Sequence, residues 1–104
     1  MNFEKYKKEL EVEKLLICAS IACNIDSENI FEKRRDFDIV SARAIVSYYM
    51  RNKWGWSINK ISDFLSQHRT TVTKNIYDYE WRVKYDARFK ENVERFKMVY
   101  ENQD

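Results

Sequence analysis

Hydrophobic positions along this chain recur at intervals of three and four residues, the spacing of one buried face of an α-helix. The clearest stretch is residues 54–76, which predicts a short helix, a tight connection and a second helix. Ser57 can cap the first helix, because its hydroxyl can accept hydrogen bonds from otherwise unpaired amides of the first turn. The buried face of the first helix comprises Ile58, Ile61, Phe64 and Leu65, and that of the second comprises Val72, Ile76 and Tyr79.

The whole pattern predicts an all-α bundle of five or six helices that contains a helix-turn-helix. A chain of 104 residues makes one domain, residues 1–104, and residues 1–14 are predicted to be its N-terminal helical extension. No proline and a single glycine argue against linkers and against a turn-rich β architecture. Further helices are predicted over residues 3–24, 42–52 (capped by Ser41) and 86–101, and the second helix of the pair is expected to continue to about residue 84. Between the first two of these helices, a capped turn at 26–29 leads into a short helical piece, and a basic loop follows at 33–38.

Aromatic side chains are frequent in the second half of the chain, and their spacing favours burial against the preceding helices. A stacking platform for single-stranded nucleic acid is the alternative. Gly55 lies between Trp54 and Trp56, where glycine can take a positive φ and let the chain reverse while both indoles cover the core. The residues expected in the core are Tyr77, Tyr79, Trp81, Tyr85, Phe89, Phe96 and Tyr100.

The net charge of +2 is unevenly distributed along the chain. Residues 33–75 carry nine basic and three acidic side chains, whereas residues 1–32 carry four and seven, and residues 76–104 carry six and seven. The positive charge therefore lies on the segment that contains the helix-turn-helix candidate. Nucleic-acid-binding proteins show this distribution, because neutralising phosphates releases condensed counterions. From charge alone, a solvated surface with uneven charge is an equal alternative.

Composition also restricts the class of protein. There is no run of about eighteen apolar residues that could span a membrane, and the charged N-terminus does not resemble a signal peptide. Cys18 and Cys23 lie five apart, about 140° around a helix axis, so they cannot pair with each other. With one histidine, no paired catalytic groups and no glycine-rich phosphate loop, we expect no metal site, cofactor, small-molecule substrate or enzymatic activity. A reduced, cytoplasmic protein is the expectation.

Four motifs occur in order between about residues 17 and 99. They are Lys33-Arg34-Arg35 after a hydrophobic pair, Arg43 eight residues later, Ser57-Ile58 fourteen residues after that, and Arg69-Thr70-Thr71-Val72. This series resembles the C-terminal DNA-binding domain of the bacterial replication initiator DnaA, a helix-turn-helix domain of the Trp-repressor-like superfamily. The family has a basic loop, a proline-arginine pair, a serine-leucine helix start and a histidine-threonine-threonine-valine signature at corresponding places. The resemblance implies the family's fold and its mode of binding double-stranded DNA.

The chain also departs from this family's pattern. Ala42 stands where the family usually has proline, and the turn at 65–67 is one residue shorter than the family's phenylalanine-glycine-glycine-arginine. Gln67, His68 and Arg69 replace arginine, aspartate and histidine, of which the last two read bases in the family. Nothing resembles the phosphate loop of the ATPase that precedes this domain in DnaA, so no ATP-driven activity is expected. The family's origin-box preference is therefore not carried over.

Two arginines have roles that only the resemblance implies. Arg35 resembles the family's minor-groove arginine, and a solvated surface charge is its alternative. Arg43 resembles the family's second anchoring arginine, at the start of a helix. Its alternative is a local pairing with Asp36 or Asp38.

The start of the second helix carries the residues expected to read bases. Arg69 could bond guanine O6 and N7 in bidentate fashion. His68 is a candidate for a base edge or a phosphate. The resemblance favours Thr70 as a base reader and Thr71 as a phosphate contact or helix cap, while Lys74 is expected at the backbone one turn further along.

The resulting hypothesis is sequence-specific binding of double-stranded DNA, in replication initiation or transcriptional control, in a bacterium, phage or mobile element. The alternative is a protein-interaction or adaptor module that kept the fold and lost the DNA contacts. A protein partner could also use the first or the last helix, where Phe3, Tyr6 and other aromatic residues lie. The candidate DNA-binding residues are Lys33, Arg34, Arg35, Arg43, Ser57, Asn59, Lys60, Gln67, His68, Arg69, Thr70, Thr71 and Lys74.

Overall fold

The structure, a computed structural model, describes residues 3–101 and confirms the all-α prediction. Residues 1, 2 and 102–104 of the predicted domain lie outside the described residues. No helix in the described range is long and apolar enough to cross a membrane. The helices are α1 (Phe3–Cys23), a short 3-10 helix (Ser27–Phe31), α2 (Phe37–Asn52), α3 (Ile58–Leu65), α4 (Arg69–Tyr85) and α5 (Ala87–Glu101).

The core is organised around α2, which buries ten of its sixteen residues. The second half of α1 packs against α2 and α5, and α4 packs against α2 and α5 from another side. The short helix α3 lies between α2 and α4. Removing these apolar surfaces from water is the main stabilising contribution, roughly 25 cal/mol for each Å² buried. The largest fully buried side chains include Leu15, Ile45, Met50, Ile61, Phe89 and Phe96.

The start of α2 differs from the prediction. The helix begins at Phe37, five residues before the predicted start, and Asp36 occupies its N-cap position. Ser41 is therefore not a cap but a fully buried residue in the second turn. The reason is packing, because Ile39 and Ala42 already belong to the buried face and extend it towards the basic loop.

Three of the aromatic residues predicted to be buried are on the surface instead. Tyr79, Phe89 and Phe96 are buried and Tyr100 is half-buried, as the spacing predicts. In contrast, Tyr77, Trp81 and Tyr85 are 79%, 63% and 62% exposed, so the prediction for them was wrong. Val72, Ile76 and Tyr79 already turn one side of α4 towards the core. Residues four apart that start at position 77 must then lie on the opposite side of the helix.

Buried tyrosines join α2, α4 and α5. The rings of Tyr48 and Tyr79 stack with centroids 3.8 Å apart, and the Tyr49 hydroxyl donates to Glu101 Oε1 at 3.3 Å. Burial raises the pKa of Tyr49 to about 12, with the nearby carboxylate of Glu101 adding to the effect. Burial also raises the pKa of Tyr79, and more strongly. Both phenols therefore remain neutral in the folded state at a pH where an exposed tyrosine ionises.

These raised pKa values predict alkaline unfolding. A group whose pKa is higher in the folded state stabilises the fold fully below its ordinary pKa of about 10 and loses that contribution as the pH rises further. We expect helical circular dichroism to fall above about pH 10, together with a rise in tyrosinate absorbance. Tyr79→Phe should raise the pH at which half of the helical signal is lost, because it removes one buried ionisable group. Tyr77→Phe, on the exposed side, should leave that midpoint pH unchanged. A midpoint equally unaffected by both substitutions would contradict this account.

Candidate nucleic-acid interface

The first helix of the predicted pair begins as its sequence indicates. Ser57 is the N-cap of α3, and its side-chain hydroxyl accepts from the Lys60 backbone N–H at 3.1 Å. Gly55, two residues earlier, has a φ of +67°, which confirms the predicted chain reversal. On the inner face Ile61 and Leu65 are fully buried, and Ile58 and Phe64 are half-buried against the core. The cap and the apolar face together fix the direction in which α3 leaves the turn.

The connection between α3 and α4 is held by a residue that the sequence does not single out. Ser62 donates its hydroxyl to the Gln67 carbonyl and accepts the Gln67 N–H with its own carbonyl, the latter at 3.1 Å. Ser66 takes a φ of +54°, a left-handed conformation that non-glycine residues rarely adopt. The two hydrogen bonds between Ser62 and Gln67 stabilise the three-residue turn at 66–68, which changes the chain direction without a glycine.

The second helix of the pair starts on the surface. His68 is the N-cap of α4 and makes no capping hydrogen bond through its side chain. The side chains of His68, Arg69, Thr70 and Thr71 are exposed. Thr71 is the third residue of α4 and so is not its cap, which corrects one of the two roles considered for it. The first-turn amides of α4 carry partial positive charge, which favours an anion at this end of the helix.

A groove joins the starts of α3 and α4. Arg69 donates from Nη1 to Asn59 Oδ1 at 3.0 Å, which orients both side chains along one edge. The groove has a volume of about 570 Å³, and its lining includes Ile58, which the sequence placed on the buried face, and Thr73, which sequence reasoning missed. Thr73 follows Arg69 by four residues, so helical spacing could have placed it there. The lining residues are Ile58, Asn59, Arg69, Thr70, Thr73 and Lys74.

Aromatic contacts connect α3 to the 3-10 helix. Lys60 Nζ lies 4.0 Å from the ring centroid of Trp56, a cation–π contact. Trp56 meets Phe64 edge-on with centroids 5.8 Å apart, and Phe64 meets Phe31 in the same way at 5.6 Å. Trp54 packs beside Trp56 and is half-buried. Trp56 therefore packs on α3 through Lys60 and Phe64, with Trp54 beside it, while His68 at the start of α4 stays exposed.

The basic loop comprises residues 33–36, which are exposed, whereas Phe37 and Asp38, which the sequence placed in the loop, belong to α2. Arg34 pairs with Asp36 at 2.5 Å and with Glu32 at 3.8 Å, so two carboxylates partly neutralise its charge. Within the described range, Lys33 and Arg35 have no such ion pair. Arg35 is thus an exposed cation at the end of the loop, in keeping with a group available to a ligand.

Arg43 is turned towards the protein interior and is only 5% exposed. Its Nε donates to the Ile30 carbonyl at 2.8 Å, and its Nη1 donates to the Arg34 carbonyl at 2.7 Å. Its Nη2 is buried and has no hydrogen-bond partner among the described residues. Burial lowers the pKa of Arg43, but a guanidinium remains charged at neutral pH.

The structure therefore corrects both sequence-based assignments of Arg43. The residue lies in the second turn of α2 and not at its start, and neither Asp36 nor Asp38 is its partner. A buried guanidinium that binds two main-chain carbonyls does not face a phosphate. Its role is to hold the 3-10 helix and the basic loop against α2.

Comparison with known proteins gives one informative similarity. Over 75 residues, 72% of this chain, the sequence is 31% identical to the chromosomal replication initiator protein DnaA of Pseudothermotoga lettingae. The matched segment spans only 17% of that protein's length. No family model matches the chain, and no solved structure matches it significantly. The similarity therefore concerns one part of an initiator and not the initiator as a whole.

The tether made by Arg43 yields a prediction about the basic loop. Arg43→Met should reduce the free energy of unfolding by about 1.5–3 kcal/mol, because it leaves two carbonyls without a charged donor. Urea denaturation measures this, and hydrogen exchange should accelerate at residues 30–36. Lys74→Met, an exposed substitution of similar size, should change stability by less than about 0.5 kcal/mol. Equal effects of the two substitutions, or unchanged exchange in the loop, would contradict the tether.

Proposed function

We propose that this chain is a sequence-specific binder of double-stranded DNA that uses α3 and α4 as a helix-turn-helix. The observation that carries the proposal is the joint exposure of the start of α4 and the groove where Arg69 bonds Asn59. In this docking mode the second helix enters the major groove with its N-terminal residues at base edges, while the first helix crosses the backbone. An α-helix fits the major groove, which is about 12 Å wide.

The proposal assigns roles along this surface. Gln67, His68, Arg69 and Thr70 face base edges, and Thr71 and Lys74 contact phosphates near the same end of α4. Ser57, Asn59 and Lys60 approach the backbone from the start of α3, although the Ser57 hydroxyl already caps the helix. Arg35 reaches the neighbouring minor groove from the basic loop, where Lys33 and Arg34 add positive charge. Arg43 supports that loop from within and makes no phosphate contact.

The similarity to a replication initiator supports a role in replication initiation, with transcriptional control as the other use of such a domain. The proposed mode requires neither a cofactor nor a reaction, and residues 1–104 act as one DNA-binding unit in the cytoplasm. The adaptor alternative predicts that the exposed cations contribute nothing to partner binding. Substitution of Arg35 and Arg69 with alanine separates the two functions, because a DNA-binding protein loses affinity for its ligand whereas an adaptor keeps its partner.

The first prediction for this function concerns salt and charge. Duplex affinity should fall steeply with salt, roughly 10³-fold between 50 and 200 mM if about six phosphates are contacted. Arg35→Ala and Arg69→Ala should each weaken binding, as measured by fluorescence anisotropy. Lys97→Ala removes an equal charge from an exposed position on α5 and serves as the control. An affinity that is unmeasurable at low salt, or equal losses in all three variants, would refute the proposal.

The second prediction concerns specificity. Selection from a random duplex pool should yield a preferred site, and Arg69→Ala should relax the preference at one base pair by about 1–3 kcal/mol. Lys74→Ala should weaken binding to all sequences about equally, because it contacts the backbone. A pool that shows no enrichment would indicate non-specific binding only. Relaxation by Lys74→Ala instead of Arg69→Ala would reverse the two assigned roles.

A further inference from the structure

Three large aromatic side chains lie in a line on the outer side of α4. Tyr77, Trp81 and Tyr85 follow one another at four-residue spacing, and we call them the α4 aromatic stripe. They contribute little to the core, because α4 buries Val72 and Tyr79 on its other side. Contiguous exposed aromatic surface is uncommon on a soluble domain and indicates a binding surface. The stripe is not among the residues assigned to duplex binding.

The stripe continues the face that begins with the proposed DNA-reading residues. At 100° per residue, Thr70 and Lys74 project within the same arc of about 80° as the three aromatic residues. With a rise of about 1.5 Å per residue, Tyr77 lies roughly 10 Å beyond Thr70 along the axis, and Tyr85 roughly 22 Å beyond it. A nucleic acid held at the start of α4 would therefore have the stripe next to it.

The chemistry of the stripe suits unpaired bases and not a duplex. In a duplex the base faces are covered by their neighbours, and only edges are open in the grooves. Aromatic rings bind by stacking on bases whose faces are free. The centroids of Trp81 and Tyr85 are 5.2 Å apart and their planes are tilted by 45°, so these rings do not cover each other face to face. Both side chains are largely exposed, so each keeps ring surface on which a base can stack, although the Lys84 ammonium lies over part of the Tyr85 ring.

Ring spacing and flanking charge fit a stretched single strand. Four residues of helix advance about 6 Å, nearly twice the roughly 3.4 Å between stacked nucleotides of one strand. Lys84 lies with Nζ 5.4 Å from the Tyr85 ring, and exposed Lys74 precedes the stripe. Two acidic residues of α4 are close in sequence to the stripe. Asp78 is half-buried, and Glu80 accepts a hydrogen bond from the Tyr48 hydroxyl at 2.8 Å. Lys84 is thus placed to meet a phosphate of the strand, and Lys74 lies where the duplex and the strand would meet.

We infer that the α4 aromatic stripe binds unpaired DNA strand next to the duplex held by the start of α4. The chain would then recognise a junction between duplex and single strand, with about three bases on three rings. This inference rests on the proposed function for its duplex half. The single-strand half depends on Tyr77, Trp81 and Tyr85 and on Lys84, none of which is assigned to the duplex.

The test compares three DNA probes with the full chain by fluorescence anisotropy. The first probe is a blunt duplex, the second is the same duplex with a six-thymidine tail at each end, and the third is the tail strand alone. We expect the tailed duplex to bind more tightly than the blunt one. Trp81→Ala, and more so the triple alanine variant of the stripe, should remove that gain, by about five-fold or more per ring, while blunt-duplex affinity stays the same.

Two further variants control this experiment. Trp81→Phe keeps a stacking ring, so it should retain most of the gain while the quenching of tryptophan emission by the tail is lost. Met98→Ala removes an equally exposed apolar side chain from α5 and should change nothing. Circular dichroism establishes that each variant is folded, and the exposed positions make large losses of stability unexpected.

The outcomes separate the two proposals. If wild-type chain binds no blunt duplex but binds the tail strand through the stripe, the proposed duplex function fails and the single-strand site stands. If the tail adds nothing, or if the stripe variants bind the tail strand as wild type does, the inference is overturned. It is also overturned if sedimentation shows a wild-type dimer that the stripe variants dissociate, because a second copy of the chain would then be the occupant.

Discussion

The buried guanidinium of Arg43 is the constraint on which the surface of this domain depends. A charge inside a protein is costly unless hydrogen bonds replace its hydration. Here the carbonyls of Ile30 and Arg34 do so, from the two segments that precede α2. The charge therefore enforces one path of the chain between α1 and α2, and that path fixes where Arg35 leaves the protein. Nη2 is buried without a hydrogen-bond partner among the described residues, so its lost hydration offsets part of what the other two bonds contribute.

The same tether extends to α3 through aromatic contacts. Phe31 ends the 3-10 helix that Arg43 holds, and its ring meets Phe64 of α3. Phe64 in turn meets Trp56, whose ring lies under the Lys60 ammonium. The basic loop and α3 are thus positioned by one continuous set of contacts. A substitution inside this set would alter both surfaces, although it touches no ligand in the proposed mode of binding.

Helical periodicity predicted the fold well because buried faces repeat every three to four residues. The Ser57 cap and the positive φ of Gly55 followed from local chemistry that needs no tertiary contact. Arg43 was misassigned because its partners are main-chain carbonyls up to thirteen residues away, which have no signature in the sequence. The stripe was misplaced for another reason. Positions 77, 81 and 85 fit helical spacing as well as Val72, Ile76 and Tyr79 do, and an aromatic ring suits either side of a helix. Only the packed neighbours of α4 decide which side is buried.

The two faces of α4 differ in their surroundings. On the inner face, Tyr79 stacks on Tyr48 and meets Phe89 edge-on, which anchors the helix to α2 and α5. Arg82 adds a guanidinium 4.0 Å from the Phe89 ring centroid at the same junction. These contacts fix the rotation of α4 about its axis, so they also determine the direction of the outer face. Since that face contributes little to the core, its side chains can be specialised for a ligand at small cost to stability. The polar start and the aromatic second half of α4 therefore keep a fixed orientation relative to each other, set by the packing behind them, and both proposals depend on that orientation.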